Sequence, residues 1–134
     1  MGHPAETHRR ATYAELEAVP SHKVAEIIGG VLHASPRPAP RHAWTSSALG
    51  GMLFSPFQRG DGGPGGWRIF DEPEIHFGPP EDLDVLVPDL AGWRAERLPK
   101  LPETAYFALA PDWACEVLSP STEKLDRIEK MPIY

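Results

Sequence analysis

Prolines interrupt this chain so often that no regular element can run far. They stand at positions 36, 38 and 40, at 79 and 80, and at 99 and 102, with single ones at 73, 88, 111, 120 and 132 among the rest. Each removes a backbone donor and locks φ near −65°, so helices stop and central strands break around them. The fold must therefore be assembled from short elements joined by stiff, extended connectors. A hydrophobic content of 41% over 134 residues is enough for a single core. No internal repeat divides the sequence, so residues 1–134 read as one domain, with residues 1–11 expected to be flexible.

Between the breaks, local signals are clear. Thr12 and Glu15 have capping-box spacing and predict a short helix that ends before Pro20. "HKVAEIIGGVLHAS" reads as two strands around a Gly29-Gly30 turn, with Glu26 on the face opposite Ala25 and Ile27. After the connector "SPRPAPRHAW", residues Trp44, Ala48 and Met52 recur at helical spacing beside Leu49 and Leu53. "RGDGGPGG" (59–66) is a loop, and "WRIFDEPEIHF" (67–77) is a strand interrupted at Pro73. "DLDVLVPDLAGW" (82–93) and "YFALAPDWACEVLS" (106–119) supply further strands, and a charged helix follows from about Thr122 until Pro132 ends it. The expected class is α/β, a central mixed sheet flanked by helices.

Charge and composition narrow the function. Acidic residues outnumber Lys and Arg 19 to 13, a net charge of −6, which argues against broad nonspecific nucleic-acid binding. It leaves room for a carboxylate metal site with local positive charge from Arg37, Arg41 and His42. The single cysteine, Cys115, suits a reducing compartment and reads as a core thiol. No signal peptide or membrane-length apolar run is visible, so a cytoplasmic protein without membrane partners is expected. Neither a nucleophile elbow nor a P-loop nor Cys/His zinc spacing occurs. A carboxylate-pair glycosidase is disfavoured because the chain is short and its few aromatics read as core.

Three acids lie on expected strands or at their ends: Glu26, Asp89 and Glu116. Two carboxylates on neighbouring strands repel unless a cation or an ion pair balances them, and all-oxygen ligation favours Mg²⁺ or Mn²⁺. Each also has a plainer explanation. Glu116 could face solvent, Asp89 could end a strand after Pro88, and Glu26 could be structural. Asp126 and Lys130 at i, i+4 could be an exposed helix pair. His42 is expected to open a helix rather than bind metal, and His76 has no ligand-spaced partner.

The ordered segments "AEIIGGVLHASPRPAPRHA" (25–43), "VPDL" (87–90), "CEVLSPST" (115–122) and "DRIEKMPIY" (126–134) resemble the Uma-type restriction endonuclease family, within the PD-(D/E)XK nuclease superfamily. The resemblance covers roughly residues 12–134. It implies a restriction-endonuclease-like core and Mg²⁺-dependent (or Mn²⁺-dependent) hydrolysis of DNA. Asp89 and Glu116 would be catalytic metal ligands, with the Val117 carbonyl a third. The superfamily lysine belongs two positions after the acid, where this chain has Leu118, and Lys130 on the following helix would take its part. Glu26 would complete the site. Family members continue past the equivalent of Tyr134, so the C-terminal part of the fold is expected to be missing, and a bare sheet edge would favour a homodimer. Leu118 also leaves open a second reading, a catalytically inactive nuclease fold kept as a binding or regulatory module.

Overall fold

A computed structural model describes residues 9–119 and 125–134. The expected flexibility of residues 1–8, the Ser-Pro-Ser-Thr turn beyond Ser119 and the helix start at Thr122 fall outside the described residues. Residues 9–11 are held by contacts: Arg9 pairs with Glu15, Arg10 Nη2 donates to the Leu83 carbonyl, and Ala11 N–H donates to the Gly30 carbonyl.

The first helix, α1 (Tyr13–Glu17), carries the full capping box, with Thr12 and Glu15 satisfying each other's backbone donors. A hairpin of β1 (Lys23–Ile28) and β2 (Val31–Pro36) follows. Its two-residue turn needs positive φ at both positions, which Gly29 (59°) and Gly30 (83°) adopt without a Cβ clash. Helix α2 (Pro40–Leu53) starts with Pro40 in the first turn, where no backbone donor is needed, and runs into a π-helical turn at Phe54–Arg59. Its Trp44 and Met52 are 76% and 73% exposed, so the helical spacing seen in the sequence belongs to the outer face.

The remaining strands are β3 (Trp67–Asp71), β4 (Ile75–Phe77), β5 (Asp84–Leu86), β6 (Leu90–Arg94) and β7 (Trp113–Cys115). They form two sheets, in the orders β2-β1-β5-β4 and β3-β6-β7. One register joins them. Trp67 faces Arg94, Asp71 faces Leu90, Ile75 faces Leu86 and Phe77 faces Asp84. This is one long antiparallel ribbon, and in its register Pro73 falls opposite Pro88. Neither proline can donate to the ladder, so the ribbon breaks there and its two halves join different sheets. At the break Glu72 takes a positive φ of 49° and gives its N–H to the Asp89 carbonyl. Where a single central mixed sheet is expected, the described ladders are antiparallel and divided at the facing prolines. The parallel component is an isolated bridge between Ile75 and Phe107. The strand expected over 106–119 shrinks to β7 and that bridge, because Pro111 interrupts it.

Two apolar clusters hold the halves. Leu16, Ile27 and Val85 pack α1 on the first sheet. Ile75, Ala91, Trp93 and Leu98 form the second, with Phe70 and Phe107 against them. Trp93 is fully buried, stacks on Phe107 at 4.4 Å and donates its Nε1–H to the Leu109 carbonyl at 3.0 Å. Trp93→Ala should cost about 3–5 kcal/mol of unfolding free energy, read from denaturant midpoints at unchanged slope.

Candidate active site

The broken ribbon is what supplies the site. Because pairing stops at Leu86, the Val87 N–H is free of the ladder, and it donates to Glu26 Oε2 at 2.8 Å. Glu26 comes from β1, opposite His33 in the hairpin, and is 6% exposed. Beyond Pro88, the Asp89 Oδ2 accepts the Val117 N–H at 2.6 Å, so the acid is anchored to the residue after Glu116. Strand β7 ends at Cys115, and Glu116 and Val117 leave it in a less regular path.

The chain then returns through a π-helical turn at Leu125–Lys130, whose wider winding is closed by the Met131 N–H on the Asp126 carbonyl. This turn aims Lys130 inward, leaving it 3% exposed. Its Nζ lies 2.6 Å from Glu26 Oε2, is in direct contact with Glu116 Oε2, and stands 3.7 Å from Asp126 Oδ1. Tyr134 completes the group, its hydroxyl donating to Glu116 Oε2 at 2.6 Å and its ring edge-on to Phe77.

The cluster is therefore one ammonium among three carboxylates, all withdrawn from water. Burial pushes the Glu116 carboxyl up to about 7, although Lys130 and Tyr134 pull the other way; Asp126 adds to the rise. Burial opposes the charge on Lys130, but Glu26 and Glu116 outweigh it and hold the ammonium above its ordinary value. The Tyr134 phenol is raised by burial and by the Glu116 charge, so it remains a donor. Burial and the Asp89 and Glu116 charges likewise raise the Cys115 thiol, which is half-buried and unreactive in character.

The structure thus brings Glu26, Glu116 and Lys130 into direct contact and sets Asp89 beside them through Val117. The exposed-pair reading of Asp126 and Lys130 is overturned: both are buried, because Glu26 and Glu116 draw the lysine inward. Leu118 is 39% exposed, since the strand alternation that would put it next to Glu116 ends at Cys115. Arg37 turns to Ser21 and Glu72. His42 does open α2, but it also reaches the site, its Nε2 lying 2.8 Å from the Val117 carbonyl and 3.4 Å from Asp89 Oδ2. Nothing in its sequence spacing announces that contact. A cleft of about 610 Å³ between α2 and β3 is lined by His42, Arg59, Asp71, Glu72 and Asp89, so Asp89 and His42 face an opening.

Two outcomes follow from these contacts. Because folding raises the Glu116 pKa from 4.5 to about 7, the folded chain binds that proton more tightly than the unfolded one between those values. The stabilising contribution is complete below 4.5 and is lost as the pH rises through about 7, and Glu116→Gln should flatten that fall in equilibrium unfolding measured from pH 4.5 to 8. Tyr134→Phe removes one hydrogen bond to a charged acceptor and should cost about 1.5–3 kcal/mol by the same measurement.

The family described as "Uma2: Putative restriction endonuclease" matches residues 10–134. Among solved structures, the chain is similar to "a putative nuclease belonging to DUF820" from Anabaena variabilis ATCC 29413, with 26% identity and a TM-score of 0.67. That similarity covers 87% of this chain and 63% of the other, so this chain spans under two thirds of that relative's length. No curated protein matches the chain. Among the described residues no helix is long and apolar enough to cross a membrane. With a restriction-endonuclease-like fold and a family match over nearly its whole length, the chain belongs to the Uma2 family.

Proposed function

We propose that this chain is a nuclease that hydrolyses phosphodiester bonds in DNA with a divalent cation, Mg²⁺ or Mn²⁺. The observation that carries the reading is the contact of Lys130 with Glu116, beside an Asp89 anchored to Val117. This joins an acid pair and a lysine from three separate segments. The nuclease descriptions of the family and of the structural relative support it.

The donor set fits a hard cation. Asp89, Glu116 and the Val117 carbonyl offer oxygen alone, and Mg²⁺ needs only one or two carboxylates because it keeps several waters. Among the described residues, no group of three or more His, Cys, Asp or Glu side chains is arranged to hold a metal ion, so the side-chain ligands proposed here are the two carboxylates. The protein contacts named above fall on Oδ2 of Asp89 and Oε2 of Glu116, and each carboxylate has a second oxygen to offer.

When bound, the cation would supply Lewis-acid polarisation of a phosphate oxygen and of the attacking water. Asp89, which lines the cleft, and Glu116 would hold it. Lys130 pulls against the burial-driven rise of Glu116 and would offset negative charge growing on the phosphate. Tyr134 and Glu26 fix the orientation of Glu116 and Lys130. In the reaction water forms a new P–O bond, the ester P–O bond breaks, and the water proton ends on the departing oxygen. The cleft's acidic rim of Asp71, Glu72 and Asp89 would repel a phosphate without a cation between them.

A second reading, a nuclease fold retained for binding without turnover, is favoured by Leu118 in the lysine position and by the engagement of Lys130 with two carboxylates. The two readings part on one assay. With Mg²⁺ or Mn²⁺ the purified chain should cut plasmid or single-stranded DNA, and Asp89→Asn, Glu116→Gln and Lys130→Ala should each lower the rate about 100-fold or more. Absence of cleavage with either metal, together with unchanged metal binding in Glu116→Gln, would sink the proposal.

A further inference from the structure

His42 is a polar side chain at this site to which the sequence pattern gives no part in the chemistry. It sits in the first turn of α2, two residues after Pro40, and its side chain is 15% exposed. The bond it makes settles which nitrogen carries the proton. A carbonyl oxygen only accepts, so the 2.8 Å contact with Val117 requires a proton on Nε2. That same N–H lies 3.4 Å from Asp89 Oδ2. The other ring nitrogen, Nδ1, is buried and has no hydrogen-bond partner. A bare lone pair there costs less than a buried, unpartnered N–H.

The contacts form a closed ring. The Val117 N–H donates to Asp89 Oδ2, the Val117 carbonyl accepts from His42, and the His42 N–H closes back towards Asp89 Oδ2. Removing the imidazole leaves the Val117 peptide held on one side only. It also removes a hydrogen bond that links the first turn of α2 to the segment bearing Glu116.

We propose that His42 is a positioning residue for the divalent site: its Nε2–H orients the Val117 carbonyl and the Asp89 carboxylate and ties the α2 wall of the cleft to them. This rests on the metal-dependent reading above. It assigns His42 an outer role, since its proton faces the oxygen donors and its nitrogen lone pair does not. Partners of metal ligands in such positions typically change affinity by about 10–100-fold when removed.

The test is Mn²⁺ binding to the full chain, followed by titration calorimetry and by the electron paramagnetic resonance signal of free Mn²⁺. His42→Leu should weaken binding about 10-fold or more, while His42→Gln, which keeps an N–H donor at a similar reach, should stay within about 3-fold of the parent. Circular dichroism and thermal midpoints on both variants identify any loss of fold. If His42→Leu does not fold, the proposal is judged on His42→Gln against His42→Glu, which places an acceptor where a donor is needed and should bind Mn²⁺ with altered, not parental, affinity. Parental affinity in His42→Leu or His42→Glu, or failure of His42→Gln to rescue, overturns this role and leaves the nuclease reading standing. Absence of Mn²⁺ binding by the parent chain overturns both.

Discussion

Two prolines that face each other across one ribbon organise this molecule. Residues 67–77 and 84–94 pair in a single antiparallel register, and Pro73 meets Pro88 in the middle of it. At that point no ladder bond can form from either side. A continuous ribbon would have closed into one sheet and placed its backbone groups in the ladder. The break instead sends β3 and β6 to one sheet and β4 and β5 to another, and it releases the Val87 N–H for another partner. Val87 turns to Glu26, and Asp89 turns to Val117. The acid site is thus a consequence of where the sheet is interrupted.

The electrostatics depend on that arrangement. Three carboxylates gathered out of water would be untenable alone, because burial and mutual repulsion both oppose ionisation. Lys130 makes the group possible by touching two of them and lying near the third. Burial outweighs these contacts, so the Glu116 carboxyl stays raised to about 7 even with an ammonium and a phenol against it. A buried pair of this kind is weak evidence for added stability and better evidence for a site.

Much of this was legible in local sequence because the relevant physics is local. The Thr12 and Glu15 capping box, the Gly29-Gly30 turn and the interruption at Pro73 each depend on a few neighbouring residues. The family resemblance pointed to the residues of the acid cluster, and the structure brings Glu26, Glu116 and Lys130 together. Less visible were the features that depend on distant partners. Trp44 and Met52 have the spacing of a buried stripe, but α2 sets them outward and turns His42 and Leu49 towards the protein. Asp126 and Lys130 have the spacing of an exposed pair, yet the carboxylates of β1 and of the segment after β7 draw the lysine inside, with Asp126 beside it. His42 carries no pattern at all, since its partners are a carbonyl 75 positions away and a carboxylate reached through it.

By itself, then, the sequence determined the shortness of the elements, their caps and turns, and which acidic and basic residues were available for chemistry. Proline, glycine and capping chemistry act within a turn or two and need no tertiary partner. Only the tertiary structure decided that the two prolines would face each other and that the mixed sheet would divide. It also decided that Leu118 would point away while Lys130 entered from a separate turn. Those outcomes depend on register and on charges meeting across the fold, and spacing along the chain does not encode either one.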